Sequence, residues 1–270
     1  MPALIWVGTD PCVRPLNSYF STVNPGPPCP GIWVRMNRGS LSRGFCIILL
    51  AILGCGRTRP WEDMNEIQLT RLVMSEPNND TARLYLGILL YEQSRPEEAE
   101  PRFRQALALN PDYPEAHYNL GRVLMDKGLY PEAERELREA IRLRPDYPDP
   151  HAALGTLLLV AGRDSSAVAE WTEALRLDPD NDQAHYNLGV WLYKQGRKEE
   201  AKKEFRETVR ANPDHAKAHG NLGIIYRDEG DYEKAREEFE AAVGLFEKQG
   251  KIWDAMKARE MLENLPDQNH

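Results

Sequence analysis

The sequence predicts an all-α solenoid of stacked helix-turn-helix units, because one residue pattern recurs at a fixed spacing of 34. The pair Leu-Gly is found five times at this spacing, with its glycines at Gly87, Gly121, Gly155, Gly189 and Gly223. An alanine follows each glycine after twelve residues, and a large apolar residue follows the alanine after four. Repeats of about 20 to 50 residues are typical of arrays in which each unit buries its apolar face against its neighbours.

Each recurring residue type has a physical reason within a helix pair. We expect the glycine and the alanine to be small because the two helices of a unit cross there, and the large apolar residue to fill the space between neighbouring units. These large residues are Phe103, Leu137, Trp171, Phe205 and Phe239. Further glycines are predicted to occupy left-handed turns between the helices, at Gly128, Gly162, Gly196 and Gly230. Proline cannot continue a helix, and it closes the first four units at Pro111, Pro145, Pro179 and Pro213.

This set of positions resembles the tetratricopeptide repeat (TPR) over five consecutive units. The units are predicted at 80–113, 114–147, 148–181, 182–215 and 216–249. The resemblance implies a right-handed solenoid whose first helices line a concave groove. One departure is histidine where the family most often has tryptophan, at His117, His151, His185 and His219. Equivalent positions of stacked units lie too far apart to share one ion, so we predict packing residues and no metal site.

Both ends of the array are predicted to carry a capping helix. Residues 64–79 place Leu69 and Leu72 in register with the second-helix pattern and form a half-repeat. Residues 250–270 form a C-terminal helix and tail, with an apolar stripe expected to pack at Ile252, Trp253, Met256 and Met261. Because Glu247 replaces the closing proline, the second helix of the fifth unit is expected to be longer.

Residues 36–54 have the three parts of a secretory signal: a basic start, an apolar run and a small-residue end. The run is far shorter than the roughly 20 residues that span a bilayer. Its ending, Ile52-Leu53-Gly54-Cys55, resembles a bacterial lipobox. That resemblance implies that the Cys55 thiol receives a diacylglyceryl group, that the signal is cut before it, and that the new amine is acylated. An ordinary signal or a buried apolar segment that happens to meet a cysteine stays open as an alternative.

A lipobox signal would make residues 1–35 a misassigned or disordered extension, because signals stand at the N-terminus. The stretch contains six prolines between residues 11 and 30 and no helical or alternating pattern, so we expect translation to start at Met36. Residues 55–63 would then be a linker after the lipid anchor. Gly56 in place of aspartate favours the outer membrane of the bacterial envelope if the source has one. A cytoplasmic location is the alternative.

The charge of the chain argues against nucleic acid as a partner. The formal net charge is −8 overall and +3 over the first 55 residues, so the remainder carries −11 and has no basic stripe to neutralise phosphates. No nucleophile-elbow or phosphate-loop motif is present, and we predict no catalysis, no cofactor and no small-molecule substrate. All four cysteines precede the repeats, at Cys12, Cys29, Cys46 and Cys55.

The predicted partner is a protein or peptide held in the groove. Carrying the family's inner positions onto this chain gives Leu84, Tyr85, Ile88, Tyr91, Tyr118, Asn119, Arg122, Met125, Thr156, Tyr186, Asn187, Val190, Tyr193, Lys194, Asn221, Ile224 and Arg227. Tyrosine offers contact area at low entropy cost, and asparagine can bond a peptide backbone. The asparagines resemble the ladder in the repeats of protein O-linked sugar transferases; alternatively, they are repeat filler that faces water. Replacing Tyr186 and Asn187 by alanine is expected to abolish capture at little cost in stability.

Three functions stay open at this point. The first is an envelope lipoprotein that helps to assemble or localise a multiprotein machine, resembling repeat lipoproteins that act as pilotins. The second is a cytosolic adaptor without lipidation. The third is a stalk or spacer whose groove is empty.

Overall fold

We describe the protein from a computed structural model, in which Trp61 and residues 64–266 are described. Residues 64–266 form twelve helices and no strand. The helices are α1 Glu66–Ser75, α2 Asp80–Glu92, α3 Pro96–Leu109, α4 Pro114–Asp126, α5 Tyr130–Leu143, α6 Pro148–Val160, α7 Asp164–Leu177, α8 Asp182–Lys194, α9 Lys198–Ala211, α10 Ala216–Glu229, α11 Tyr232–Lys248 and α12 Ile252–Glu263.

The helices pack in chain order as five hairpins, α2–α3 to α10–α11. The second helix of each hairpin packs on the first helix of the next, α1 packs on α2, and α12 packs on α11. Each helix therefore touches mainly its neighbours in the chain, which is the defining arrangement of a solenoid. The prediction of an all-α solenoid is confirmed.

A residue with positive φ makes the turn inside each hairpin. Gly128 has φ 72° and Gly230 has φ 82°, and in the first unit Ser94 takes the same place with φ 60°. Glycine adopts this conformation without steric cost, whereas Ser94 is the one described residue other than glycine that has a positive φ. The helix α11 extends over 17 residues, against 14 in α9, so the prediction of a longer second helix in the fifth unit is confirmed.

The large apolar residue of each unit lies over the glycine of its own unit. A Cβ atom at Gly87 would lie 2.6 Å from Cε1 of Phe103, and one at Gly189 would lie 2.8 Å from Cε1 of Phe205. The glycine is therefore required by the close crossing of the two helices, as predicted. The ring fills this crossing within the unit, rather than lying only between neighbouring units as the sequence suggested.

The C-terminal cap packs through a different face from the one predicted. Ala255 and Ala258 are buried against α11, whereas Ile252 is 57% exposed, Trp253 83% and Met256 52%. Small alanine side chains let the two helices approach closely, and this turns the large apolar residues outward. The expected packing stripe was wrong for these three residues, although Met261 is half-buried. No helix in residues 64–266 is long and apolar enough to cross a membrane.

Candidate partner-binding surface

The first helices of successive units touch one another, in addition to packing on second helices. These contacts join α2 to α4, α4 to α6 and α6 to α8. They bring the predicted groove positions of α2, α4, α6 and α8 into one continuous surface. We call this surface, together with the face of α10 that carries the same positions in the fifth unit, the inner wall.

The predicted groove residues differ widely in exposure. Those buried within the wall are Leu84, Tyr91, Tyr118, Asn119, Met125, Tyr186, Val190, Asn221 and Ile224. Those half-buried are Tyr85, Ile88, Arg122, Thr156, Asn187, Tyr193 and Arg227, and Lys194 is exposed. A first helix is covered on two sides by second helices, so spacing alone does not separate its core residues from its surface residues.

The asparagines of the inner wall bond to the wall itself. The Asn119 amide donates to the carbonyl oxygen of Glu115 at 2.8 Å, and its Oδ1 accepts from Arg122 at 3.3 Å. The amide of Asn187 donates to Oγ1 of Thr156 in the preceding unit at 2.8 Å. These amides therefore stabilise the first helices, a role that neither of the sequence-based readings anticipated.

Tyrosine hydroxyls connect neighbouring units at both ends of the wall. The Tyr91 hydroxyl donates to Oδ2 of Asp126 at 2.6 Å, and that of Tyr193 donates to Oδ2 of Asp228 at 3.3 Å. Burial and the charge of Asp228 raise the pKa of Tyr193, so its hydroxyl stays protonated and able to donate. In both pairs the aspartate follows the tyrosine by 35 residues, a regular offset from which sequence reasoning could have identified the aspartates.

In the middle of the wall, apolar residues replace the tyrosines of these pairs. Met125 takes the tyrosine position in the second unit, and the residue 35 positions later is Val160, which is 54% exposed. Leu159 takes the tyrosine position in the third unit, and the residue 35 positions later is Lys194. No ion pair is formed by Lys194 with the described part of the chain, 64–266. The wall thus has an apolar centre with one uncompensated cation beside it.

The guanidinium of Arg122 lies among aromatic rings. Its Cζ is 4.7 Å from the ring centre of Tyr91 and 5.5 Å from that of Tyr118, within the range of cation–π attraction. Nearby, burial raises the pKa of Glu92, and the charge of Arg122 offsets part of this effect. Arg122 therefore serves to hold the first and second units together.

Four histidines make the same pair of bonds in successive units. The Nδ1 atoms of His117, His151, His185 and His219 lie 2.6 to 2.7 Å from Oε2 of a glutamate of the second helix, nineteen residues on. The glutamates are Glu136, Glu170, Glu204 and Glu238. Each Nε2 faces the carbonyl oxygen of the proline that closes the preceding unit, at 2.9 to 3.4 Å. Each ring therefore joins three segments, which is more specific than the predicted packing role.

Both partners of His117, His185 and His219 are acceptors, and this favours the imidazolium form of these three rings. Burial disfavours the charge of His117, but the bonds to Glu136 and the Pro111 carbonyl, with the nearby carboxylates, outweigh burial and raise its pKa. The same balance raises the pKa of His185 and His219. In the first unit, arginine replaces both the histidine and the glutamate, so this unit has neither partner of the bond.

Two sequence-based expectations concern chemistry outside this wall. Within the described residues, no group of three or more His, Cys, Asp or Glu side chains is arranged to hold a metal ion. The predicted lipidation site, Cys55, and the predicted signal and extension lie outside the described residues.

Two solved structures have a similar fold. One is TTC0263, a thermophilic TPR protein of Thermus thermophilus, with 21% identity, a TM-score of 0.59, and coverage of 68% of this chain and 98% of that chain. The other is the APC/C hetero-tetramer Cut9-Hcn1, with 16% identity, a TM-score of 0.61, and coverage of 74% of this chain and 45% of that chain. YrrB, described as a TPR protein with an unusual peptide-binding site, matches at 24% identity, a TM-score of 0.46, and coverage of 73% and 100%.

Family models agree with the repeat spacing and with the fold. A model of the tetratricopeptide repeat matches residues 68–148 and 192–249, and a model of the TPR repeat matches residues 157–196. A search of curated protein sequences gives no match. The family models cover more than half of the sequence, and the chain belongs to the tetratricopeptide-repeat family, whose fold is that of protein–protein interaction scaffolds.

Proposed function

We propose that this protein is a non-catalytic scaffold that captures a peptide or a partner protein on its inner wall. The observation that carries the proposal is the accessible part of this wall, which combines Tyr85, Ile88, Val160 and Lys194 on one surface formed by successive first helices. Tyrosine and aliphatic side chains supply contact area, and a free ammonium group supplies orientation. The surface is extended, which suits a chain segment better than a compact small molecule.

We further propose that a lipid on Cys55 tethers the scaffold to a bacterial envelope membrane, where it assembles or localises a protein complex. The helix α1 begins at Glu66, eleven residues after Cys55. Eleven extended residues reach at most about 40 Å, which would keep the solenoid close to the bilayer surface. Each buried methylene of a lipid chain contributes about 0.8 kcal/mol, so several acyl chains hold a protein firmly.

The intact mass and the N-terminal peptide of the protein extracted from its native membranes test the anchor. A chain that begins at Cys55 with a diacylglyceryl group supports the proposal. An unmodified chain that retains residues before Cys55 contradicts it and leaves the cytosolic adaptor as the function.

Site-specific crosslinking in cells tests the inner wall. A photoreactive phenylalanine analogue would replace Tyr85 or Val160 on the wall, or Leu109 at the end of α3 as a control that is 40% exposed. We expect the same adduct from both wall positions and none from the control. Adducts from Leu109 alone, or from none of the three positions, would contradict capture on the wall and favour a spacer.

A further inference from the structure

We propose that the centre of the inner wall recognises an extended peptide in which a bulky apolar residue and a single carboxylate are three residues apart. This inference deepens the proposed function and rests on it. It concerns the third and fourth units, where the tyrosine–aspartate bonds of the two ends are replaced by other residue types.

The apolar half of the site is formed by Val160 and its neighbours. Val160 is 54% exposed at the last turn of α6, and the Leu159 side chain beside it is half-buried. At one end of the wall, Tyr91 bonds to Asp126, which follows it by 35 residues, and Val160 follows the buried Met125 by the same offset. Val160 is therefore an exposed apolar residue in an apolar part of the wall, and a bulky apolar side chain of the peptide would cover it.

The charged half of the site is formed by Lys194. It follows Leu159 by 35 residues and lies in the next unit, where its side chain is exposed. Contact with apolar surface suits a lysine, whose stem is aliphatic. Its exposed ammonium group is accessible to a partner on the wall.

The other two cations among the predicted groove residues, Arg122 and Arg227, already have partners within the protein. The carboxylate of Asp228 accepts from Lys198 at 2.8 Å, from Arg227 at 3.0 Å and from Tyr193. Arg122 is stacked on tyrosine rings. Lys194 is therefore the charge that a partner can complement, and its complement is a carboxylate.

The geometry of the solenoid sets the spacing between the two recognised groups. Equivalent positions of packed helices are about 8 to 10 Å apart, and an extended peptide advances about 3.3 Å per residue. Three residues therefore cover the step from Val160 to Lys194, in either chain direction. The net charge of −11 on residues 56–270 repels acidic tracts, so the wall favours one carboxylate over several.

Selection from a display library of random dodecapeptides on the immobilised full chain tests this inference. With the natural sequence, we expect enrichment of an apolar residue three positions from Asp or Glu. With Lys194→Glu, we expect Lys or Arg to replace the acid at the same spacing, whereas Val160→Asp should remove the apolar preference. Lys203→Glu is the matched control, because it makes the same charge change at an exposed lysine of α9.

Fluorescence polarisation with the enriched peptides gives the size of the effect. Lys194→Glu is expected to weaken binding about tenfold, the usual scale of one charge-assisted contact, and Lys203→Glu to leave it unchanged. Amidated and free-acid forms of each peptide distinguish a side-chain carboxylate from a chain terminus. If the peptides selected with Lys194→Glu still prefer Asp or Glu, this inference is wrong but the proposed capture of peptides on the wall still stands. Absence of any enriched peptide would overturn capture of peptides by the wall as well.

Discussion

The Nδ1 atom of His185 lies 2.7 Å from Oε2 of Glu204, and Nε2 of the same ring lies 3.0 Å from the carbonyl oxygen of Pro179. One imidazole thus joins the first helix of the fourth unit to its second helix and to the loop before it. A neutral ring has only one N–H group, so it satisfies only one of these two acceptors, whereas the imidazolium satisfies both. The bond network is complete when the ring is charged.

Stability is therefore expected to fall as pH rises above the ordinary range of histidine. The pKa values of His117, His185 and His219 are raised in the folded protein. The stabilisation that these three histidines contribute is fully present below about pH 6.5, the pKa of histidine in the unfolded chain. It is lost as the pH rises through their pKa values in the folded protein. Burial of His215 acts in the opposite direction, because it lowers that pKa to about 4 and favours the folded state above pH 6.5. Urea unfolding at pH 6 and pH 8 measures the difference.

Substitution of one histidine separates these contributions. In His185→Gln, we expect the unfolding free energy to change less between pH 6 and pH 8 than in the natural protein, because one raised pKa is removed. Glu204→Gln should act in the same direction, since the charge that supports the imidazolium is lost. An unchanged pH dependence in both variants would show that the ring is not charged in the folded state.

The glycine at each helix crossing is expected to reject even a methyl group. A Cβ atom at Gly189 would lie 2.8 Å from Phe205 and 3.3 Å from Cβ of Glu204. Gly189→Ala should therefore cost about 1 to 3 kcal/mol of unfolding free energy, although alanine is the better helix former. The control is Gly244→Ala on α11, where an added Cβ atom would meet no atom of another helix within 4 Å, and a gain of about 0.5 to 1 kcal/mol is expected. The thermal unfolding temperatures of the two variants should shift in opposite directions. Equal shifts would contradict the close helix crossing at Gly189.

The fold could be predicted from the sequence because its determinants recur. Gly189 and Phe205 belong to a pattern present in five units, so their crossing follows from spacing and size alone. The long second helix of the fifth unit followed from one departure, Glu247 in place of proline. These are local steric rules, which are readable without knowledge of the neighbours in space.

The surface of the inner wall could be predicted only in part, because exposure depends on neighbours in space. Tyr186 and Asn187 are adjacent in sequence, but Tyr186 is 5% exposed against Phe205 and His215, whereas Asn187 is half-buried and bonds to Thr156. Lys194 is exposed, and the residue 35 positions before it, Leu159, carries no counter-charge. Such pairings arise between units and follow an offset of 31 or 35 residues rather than the repeat of 34.

The burial of Tyr186 changes the expected result of its truncation. Its ring centre is 6.0 Å from that of Phe205 and 4.6 Å from that of His215. Tyr186→Ala should therefore cost about 3 kcal/mol or more, the scale for removing a buried aromatic ring, and not the small surface cost expected from the sequence. Asn187→Ala, the adjacent control, removes one hydrogen bond and should cost about 1 kcal/mol. Chemical unfolding distinguishes the two, and a small effect at Tyr186 would mean that the ring is not packed in the wall.

The C-terminal cap offers a test of which face of α12 packs on α11. Ala258 is fully buried and Trp253 is 83% exposed, although the larger residue carries more apolar surface. Ala258→Leu should overpack the helix contact and cost about 1 to 3 kcal/mol, whereas Trp253→Ser should change the unfolding free energy by about 0.5 kcal/mol or less. The reverse order of the two effects would show that α12 packs through the stripe of large side chains. Because the fifth unit depends on this helix to cover its apolar face, Ala258→Leu should also lower the cooperativity of unfolding, measured as the urea dependence of the unfolding free energy.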